Sequence, residues 1–187
     1  MEDTNKLIKD LTHYDSHYRQ NAVRFLIQKY IENRTTMSDD DKSKIIAGLL
    51  TRLNVSEDSL EVKGVAVKGF GDISKYLKDN DIMKIFSELI KYIIDPKAEG
   101  KDIYTSCIKK IFEQMQGASC LTVGKILIPE IIKGISIDND LIKELCFDTF
   151  SDYINTFNYV LINKSKEAED FLKNKESIIK IALSNIL

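Results

Sequence analysis

Apolar residues along this chain fall into two helical patterns that take turns. The first reads an apolar residue, usually a base, two free positions and a small residue: Tyr18-Arg19-x-x-Ala22, Val62-Lys63-x-x-Ala66, Ile103-Tyr104-x-x-Cys107 and Ile142-Lys143-x-x-Cys146. Its small residues stand 44, 41 and 39 positions apart. The second pattern has two apolar positions, two free, two apolar, two free and one apolar, as in Ile45-Ile46/Leu49-Leu50/Leu53, Ile85-Phe86/Leu89-Ile90/Ile93 and Leu127-Ile128/Ile131-Ile132/Ile135. Leu7-Ile8 with Leu11 begins a shorter copy, and Ile178-Ile179, Ala182-Leu183 and Ile186 give a last one. Both spacings are those of amphipathic helices with a wide apolar stripe. A period near forty residues predicts an all-α array of stacked helix pairs, an A helix and a B helix per unit, four and a half times over. Units are expected near residues 3–34, 38–78, 80–116 and 118–163, with a partial unit at 165–187, all in one domain spanning 1–187.

Capping residues mark the helix boundaries. Thr4 is placed to cap the first helix, and Ser38 followed by Asp39, Asp40 and Asp41 puts an N-cap and three carboxylates in a first turn, where the helix dipole favours negative charge. A metal site is the other reading of that acidic run, but consecutive helix positions point in different directions, which favours capping. Asn80-Asp81 opens the third A helix and Asp95-Pro96 closes it. Asp15, Ser59 and Asn139 each lie four residues before the basic position of a B helix, and Gly100 holds that slot in the third copy. Pro129 removes a backbone donor inside a helical run and predicts a kinked A helix. A long B helix ends near Asn163, followed by a polar connector and a last A-type helix closing on Ile186-Leu187 without a polar cap. Terminal repeats normally carry a polar outer face, so the chain reads as the N-terminal part of a longer array.

Counting each B-helix small residue as zero, positions −4, 0, +4 and +8 share a face. They hold Tyr18, Ala22, Leu26, Tyr30; Val62, Ala66, Phe70, Ser74; Ile103, Cys107, Ile111, Met115; and Ile142, Cys146, Phe150, Ile154, and are expected in the core. Positions +2 and +6 point nearly the other way at about 100° per residue. They hold Arg24 and Gln28, Lys68 and Asp72, Lys109 and Glu113, Asp148 and Asp152, a polar ridge that is basic at its start and acidic at its end. Inner helices of solenoids line surfaces that bind other proteins, so the ridge is the candidate contact surface. The competing reading is a solvated face that keeps the array soluble and is worth little energetically.

Composition narrows the function classes. Hydrophobic residues make up 43% and charged residues 30%, enough for a continuous core, and the formal net charge of −2 gives no support to a general nucleic-acid or membrane binder. The acidic N-terminus carries no leader pattern, no stretch approaches a membrane span, and Cys107, Cys120 and Cys146 form no metal spacing. An intracellular, soluble protein is expected, with two of the cysteines serving as small packing residues. No catalytic residue, cofactor, metal or small-molecule substrate is expected. His13 and His17 lie four apart without an acidic or cysteine partner and read as exposed histidines at a turn; Lys68-Gly69-Phe70-Gly71-Asp72 sits mid-helix, where close packing explains its glycines better than phosphate binding. Gly117-Ala118-Ser119-Cys120 has no histidine nearby in sequence to make a nucleophile setting.

Asp15-x-x-Tyr18-Arg19-x-x-Ala22 resembles the B-helix signature of HEAT repeats, and Leu60-Glu61-Val62-Lys63-Gly64-Val65-Ala66-Val67-Lys68-Gly69-Phe70-Gly71 resembles the N-terminal repeats of the cullin-associated, neddylation-dissociated (CAND) family. Asp95-Pro96-Lys97 ahead of Lys101-Asp102-Ile103-Tyr104-Thr105-Ser106 is similar too, although Tyr104 and Gly100 depart from the family's basic and acidic residues. The resemblance covers nearly the whole chain in pattern and is concentrated in residues 58–112. It implies a right-handed α-solenoid of about four and a half HEAT repeats, armadillo-like in its stacking. It further implies a non-enzymatic scaffold, cytoplasmic or nuclear, that binds a cullin with its RING subunit and regulates ligase assembly and substrate-receptor exchange. The other reading is a different HEAT scaffold, such as a nuclear-transport receptor or a phosphatase or condensin subunit.

Overall fold

The structure is a computed structural model and describes residues 4–54, 58–115 and 117–163. Among these the chain is all-helical: α1 (Thr4–Asp10), α2 (Ser16–Glu32), α3 (Asp39–Asn54), α4 (Leu60–Ile73), α5 (Asp79–Ile94), α6 (Lys101–Gln114), α7 (Gly117–Ile135) and α8 (Asp140–Asn163), with one 3₁₀ turn at Ser74–Tyr76. Helices alternate A and B as the periodicity predicts, α1, α3, α5 and α7 carrying the first role and α2, α4, α6 and α8 the second. The expected connector and closing helix after Asn163 lie outside the described residues.

Local chemistry sets the boundaries. Asp15 accepts the His17 N–H at 2.8 Å, Ser38 Oγ accepts that of Asp41 at 3.1 Å, and Asn139 accepts that of Ile142 at 3.1 Å, each satisfying an amide that the first helical turn leaves without a partner. Ser59 departs from expectation: it sits at the N-cap of α4 but its side chain makes no capping bond. Gly100 fills its slot through its backbone, with φ 65° in the left-handed region that other residues avoid. α5 ends at Ile94, where Asp95 accepts the Lys97 N–H at 2.9 Å in the turn that carries Pro96. α7 runs on through Pro129, which lies exposed. α1 already includes Thr4, placing that residue in the helix instead of ahead of it.

The helices form two compact units, Met1–Asp81 and Ile82–Leu187. In the first, α1 to α4 bury Leu7, Leu11, Val23, Leu26, Ile45, Leu49, Leu53, Ala66 and Phe70 to 3% exposure or less. At roughly 1.5–3 kcal/mol per fully buried aliphatic or aromatic side chain, this core is the main stabilising term. α2 and α4 lie side by side: a Cβ at Gly69 would overlap Ile27 Cγ1 and Cδ1, so only glycine allows that approach without displacing Ile27. In the second unit the rings of Phe86 and Phe112 (5.1 Å), Phe112 and Tyr153 (5.8 Å) and Tyr153 and Phe157 (5.9 Å) pack in a chain. Tyr153 Oη donates to the Cys120 carbonyl at 3.2 Å.

The predicted core face holds on most positions, including both cysteines: Cys107 and Cys146 are 4% and 0% exposed. Ile103, Phe150 and Ile154 are half-buried. Tyr18 contradicts the expectation outright, being 60% exposed. Gly69 on one side of α4 meets Ile27 of α2, and Val62, seven residues earlier on that side, is buried; the corresponding residues of α2, Tyr18 and Phe25, are both exposed. Tyr18 packs its ring at a tilt against His13, which stacks on Tyr14, both at 4.4 Å. His13 is half-buried where an exposed histidine was expected, and its Nδ1 accepts the Asp15 N–H.

Burial pushes the Cys120 and Cys146 thiols up to about 11, with nearby Lys101 opposing the rise for Cys146. Folding therefore favours the protonated thiols. That contribution is fully present below the unfolded thiol pKa of about 9 and is lost as pH rises from about 9 to about 11. Stability is expected to fall over that window in urea titrations monitored by circular dichroism. At pH 8, thiol labelling of the native protein should run more than about tenfold slower than in urea, because both access and thiolate fraction are reduced; equal rates would contradict the buried positions.

Candidate functional site

The B helices place their +2 and +6 residues as the periodicity requires. Arg24, Gln28, Lys68, Lys109, Glu113 and Asp148 are exposed, and Asp72 and Asp152 are half-buried. Within the second unit Lys109 of α6 reaches Asp152 of α8 at 3.9 Å, so part of the ridge is paired with itself. With Lys109 60% and Asp152 33% exposed, such a pair is worth no more than about 1 kcal/mol. Glu113 and Asp148 lie exposed on the same two helices.

In the first unit the ridge becomes a groove. Arg24, Gln28 and Glu32 of α2 and Lys68 and Asp72 of α4 form the rim of an open cleft of about 420 Å³ floored by Ile27, Ile31, Val65 and Gly69. Two contacts show that α2 and α4 run in the same direction. Arg19 near the start of α2 bonds Asp58 just ahead of α4, and Ile27 meets Gly69 halfway along. Charges on the rim are consequently ordered: Arg24 and Lys68 precede the Ile27–Gly69 contact, and Asp72 and Glu32 follow it, one turn beyond Lys68 and two turns beyond Arg24 on their own helices. Gln28 Nε2 donates to Glu32 Oε1 at 2.7 Å. The missing Cβ at Gly69 lets Ile27 sit against the α4 backbone and leaves the floor aliphatic.

Sequence reading missed the polar cluster that holds this groove together. Asp58, with no side-chain exposure, accepts from Arg19 Nε at 2.6 Å and from Arg52 Nη1 at 3.3 Å. Arg19 Nη1 also donates to the carbonyls of His13 and Tyr14, at 2.7 and 2.9 Å. The basic residue of the first B helix thus ties its own turn to the entry of α4, and Asp58 joins the end of α3 to both through Arg52. The signal in the sequence is an acid in the turn before a B helix, one residue ahead of the Ser59 cap slot. In the second unit Lys101 has a similar role. Its buried Nζ donates to the carbonyls of Tyr92 and Asp95 at the end of α5, and desolvation lowers its pKa, partly opposed by Asp95. Tyr104, which stands where the other B helices carry a base, is buried and stacks on Tyr92 at 5.0 Å.

Chemically, this surface offers ordered charge around aliphatic contact area. Among the described residues no group of three or more His, Cys, Asp or Glu side chains is placed to hold a metal, and no helix is long and apolar enough to cross a membrane. His13 and His17 belong to the first turn and lie apart from the groove lining.

No family model matches the chain, and no curated protein matches it. Three engineered proteins with crystal structures from the Northeast Structural Genomics Consortium are similar in structure, each at 14% identity. One matches with a TM-score of 0.49 over 83% of this chain and 70% of its own. A second does so at 0.40 over 96% and 97%, and a third at 0.47 over 91% and 43%.

Proposed function

We propose that this chain is a non-enzymatic protein-interaction scaffold, a right-handed solenoid of about four and a half HEAT repeats that presents its B helices to a partner. The observation that carries the reading is the repeated register itself: each B helix buries its small residue and presents polar residues at +2 and +6. Given the resemblance in residues 15–22 and 58–112, the proposed partner is a cullin with its RING subunit. The action is regulation of ubiquitin-ligase assembly and substrate-receptor exchange in the cytoplasm or nucleus, by surface complementarity and steric occlusion. Exposed Arg24, Lys68, Lys109, Glu113 and Asp148, with half-buried Asp72 and Asp152, are the contact residues of this proposal.

A pull-down with unmodified and modifier-conjugated cullin–RING complexes tests it. Preferential recovery of the unmodified complex is expected, and equal recovery of both, or of neither, overturns the cullin assignment. Lys68→Glu with Lys109→Glu is expected to weaken partner binding roughly three- to tenfold with no fall in melting temperature, since both side chains are exposed and rim charges act mainly on association. Unchanged affinity in this double variant would return the ridge to a solubility role.

A further inference from the structure

We infer that the α2–α4 groove is a docking site for an amphipathic helix of a partner protein, one whose apolar face carries an acidic residue at one end and a basic residue at the other. The inference rests on the proposed role of the B helices as a partner surface, and names the chemistry that one part of that surface selects. Three features of the groove lead to it. Its floor, Ile27, Ile31, Val65 and Gly69, is aliphatic and open, which suits one or two large apolar side chains. Its rim is ordered along the helix axes, with Arg24 and Lys68 on one side of the Ile27–Gly69 contact and Asp72 and Glu32 on the other, one turn beyond Lys68 and two turns beyond Arg24. At about 1.5 Å per residue those ends are roughly 6 to 12 Å apart, the spacing of opposite charges four to eight residues apart on a helical ligand.

The third feature selects a helix over an extended peptide. Both walls are α-helices, whose backbone amides and carbonyls are satisfied internally, so the groove has no strand edge to pair with an extended backbone. Side-chain amides would have to serve instead. Gln28 supplies such an amide among the lining residues, and it already donates to Glu32. A helix meets its own backbone needs and brings only side chains, which is what the groove can receive. Gly69 keeps the floor low by letting Ile27 pack against α4, so a ligand side chain can reach between the two charged ends.

The test uses two fluorescein-labelled, alanine-based helical peptides with the same leucine stripe, one with glutamate before the stripe and lysine after it, the other with the charges exchanged. Binding to the full chain is read by fluorescence anisotropy. The wild-type protein is expected to prefer one peptide by about tenfold, from two or more rim ion pairs. Reversing the groove with Arg24→Glu, Glu32→Lys, Lys68→Glu and Asp72→Lys should exchange the preference. Ile31→Glu should abolish binding of both peptides, with the helical signal and melting curve unchanged. If the fourfold variant fails to fold, the pair Arg24→Glu/Glu32→Lys, both exposed positions on α2, should shift the ratio in the same direction. No binding, equal binding, a preference indifferent to charge reversal, or self-association of the chain through this groove would each overturn the inference. Because the peptides contain no cullin sequence, a retained preference supports the groove whatever the pull-down returns, and loss of cullin binding with the preference intact removes only the partner's identity.

Discussion

Asp58→Ala is expected to destabilise the Met1–Asp81 unit by about 3–5 kcal/mol, the range for removing one partner of a buried ion pair. The reason lies in what is left behind. Arg19 and Arg52 have side-chain exposures of 11% and 8%, and Asp58 takes a hydrogen bond from each. Arg19 cannot swing toward water without giving up the carbonyls of His13 and Tyr14, and Arg52 Nε has no hydrogen-bond partner even with Asp58 in place. Alanine would leave two guanidinium groups facing each other where water has little access. Against a total stability of about 5–15 kcal/mol, this is a large fraction. Urea denaturation followed by circular dichroism measures it, and a double-mutant cycle with Arg19→Met and Asp58→Leu should give a coupling energy of about 0.5–3 kcal/mol. A cost below about 1 kcal/mol would place the cluster with ordinary surface pairs. A fall in peptide affinity at a denaturant concentration where the variant is still folded would show that the same cluster aligns the groove.

The second large effect belongs to the other unit. Phe112→Ala should cost about 3–5 kcal/mol, since the ring is 1% exposed and touches Phe86 on one side and Tyr153 on the other. Neighbours have little freedom to fill the space. Tyr153 is fixed by its bond to the Cys120 carbonyl and by Gly124, against whose Cα side its hydroxyl end is seated, and the cavity would remain. The denaturant midpoint should fall, with near-ultraviolet circular dichroism reporting loosened tyrosine packing. Phe147→Ala is the matched control: that ring is 53% exposed on α8, and its removal should change stability by no more than about 0.5 kcal/mol. Equal costs at the two positions would contradict the assignment of Phe112 to the core.

The exposure of the ridge positions was legible in the sequence. Ridge residues are exposed or half-buried because a 3.6-residue period, once anchored on Ala22, Ala66, Cys107 and Cys146, fixes which side chains point away from the core. Tyr18 shows where that logic stops. Its position matches Val62 and Ile142, both buried, yet it is exposed, since the stripe states which face is apolar and not whether a neighbour covers it. Ser59 and Asp58 show a second limit. Both suit a turn by composition, but only packing decides that Asp58 is the one enclosed between two arginines.

From sequence alone come the alternating helices, most of their caps and their apolar stripes, because these depend on neighbours within a few residues. Tertiary structure alone decided the Arg19–Asp58–Arg52 cluster, the stacking of Tyr104 on Tyr92 with Lys101 bonded to the carbonyls at the end of α5, and the ordered groove between α2 and α4. Each of these depends on side chains from different helices converging, and on which polar groups lose water when they do. Local periodicity carries no information about that desolvation; it is settled only when the helices pack.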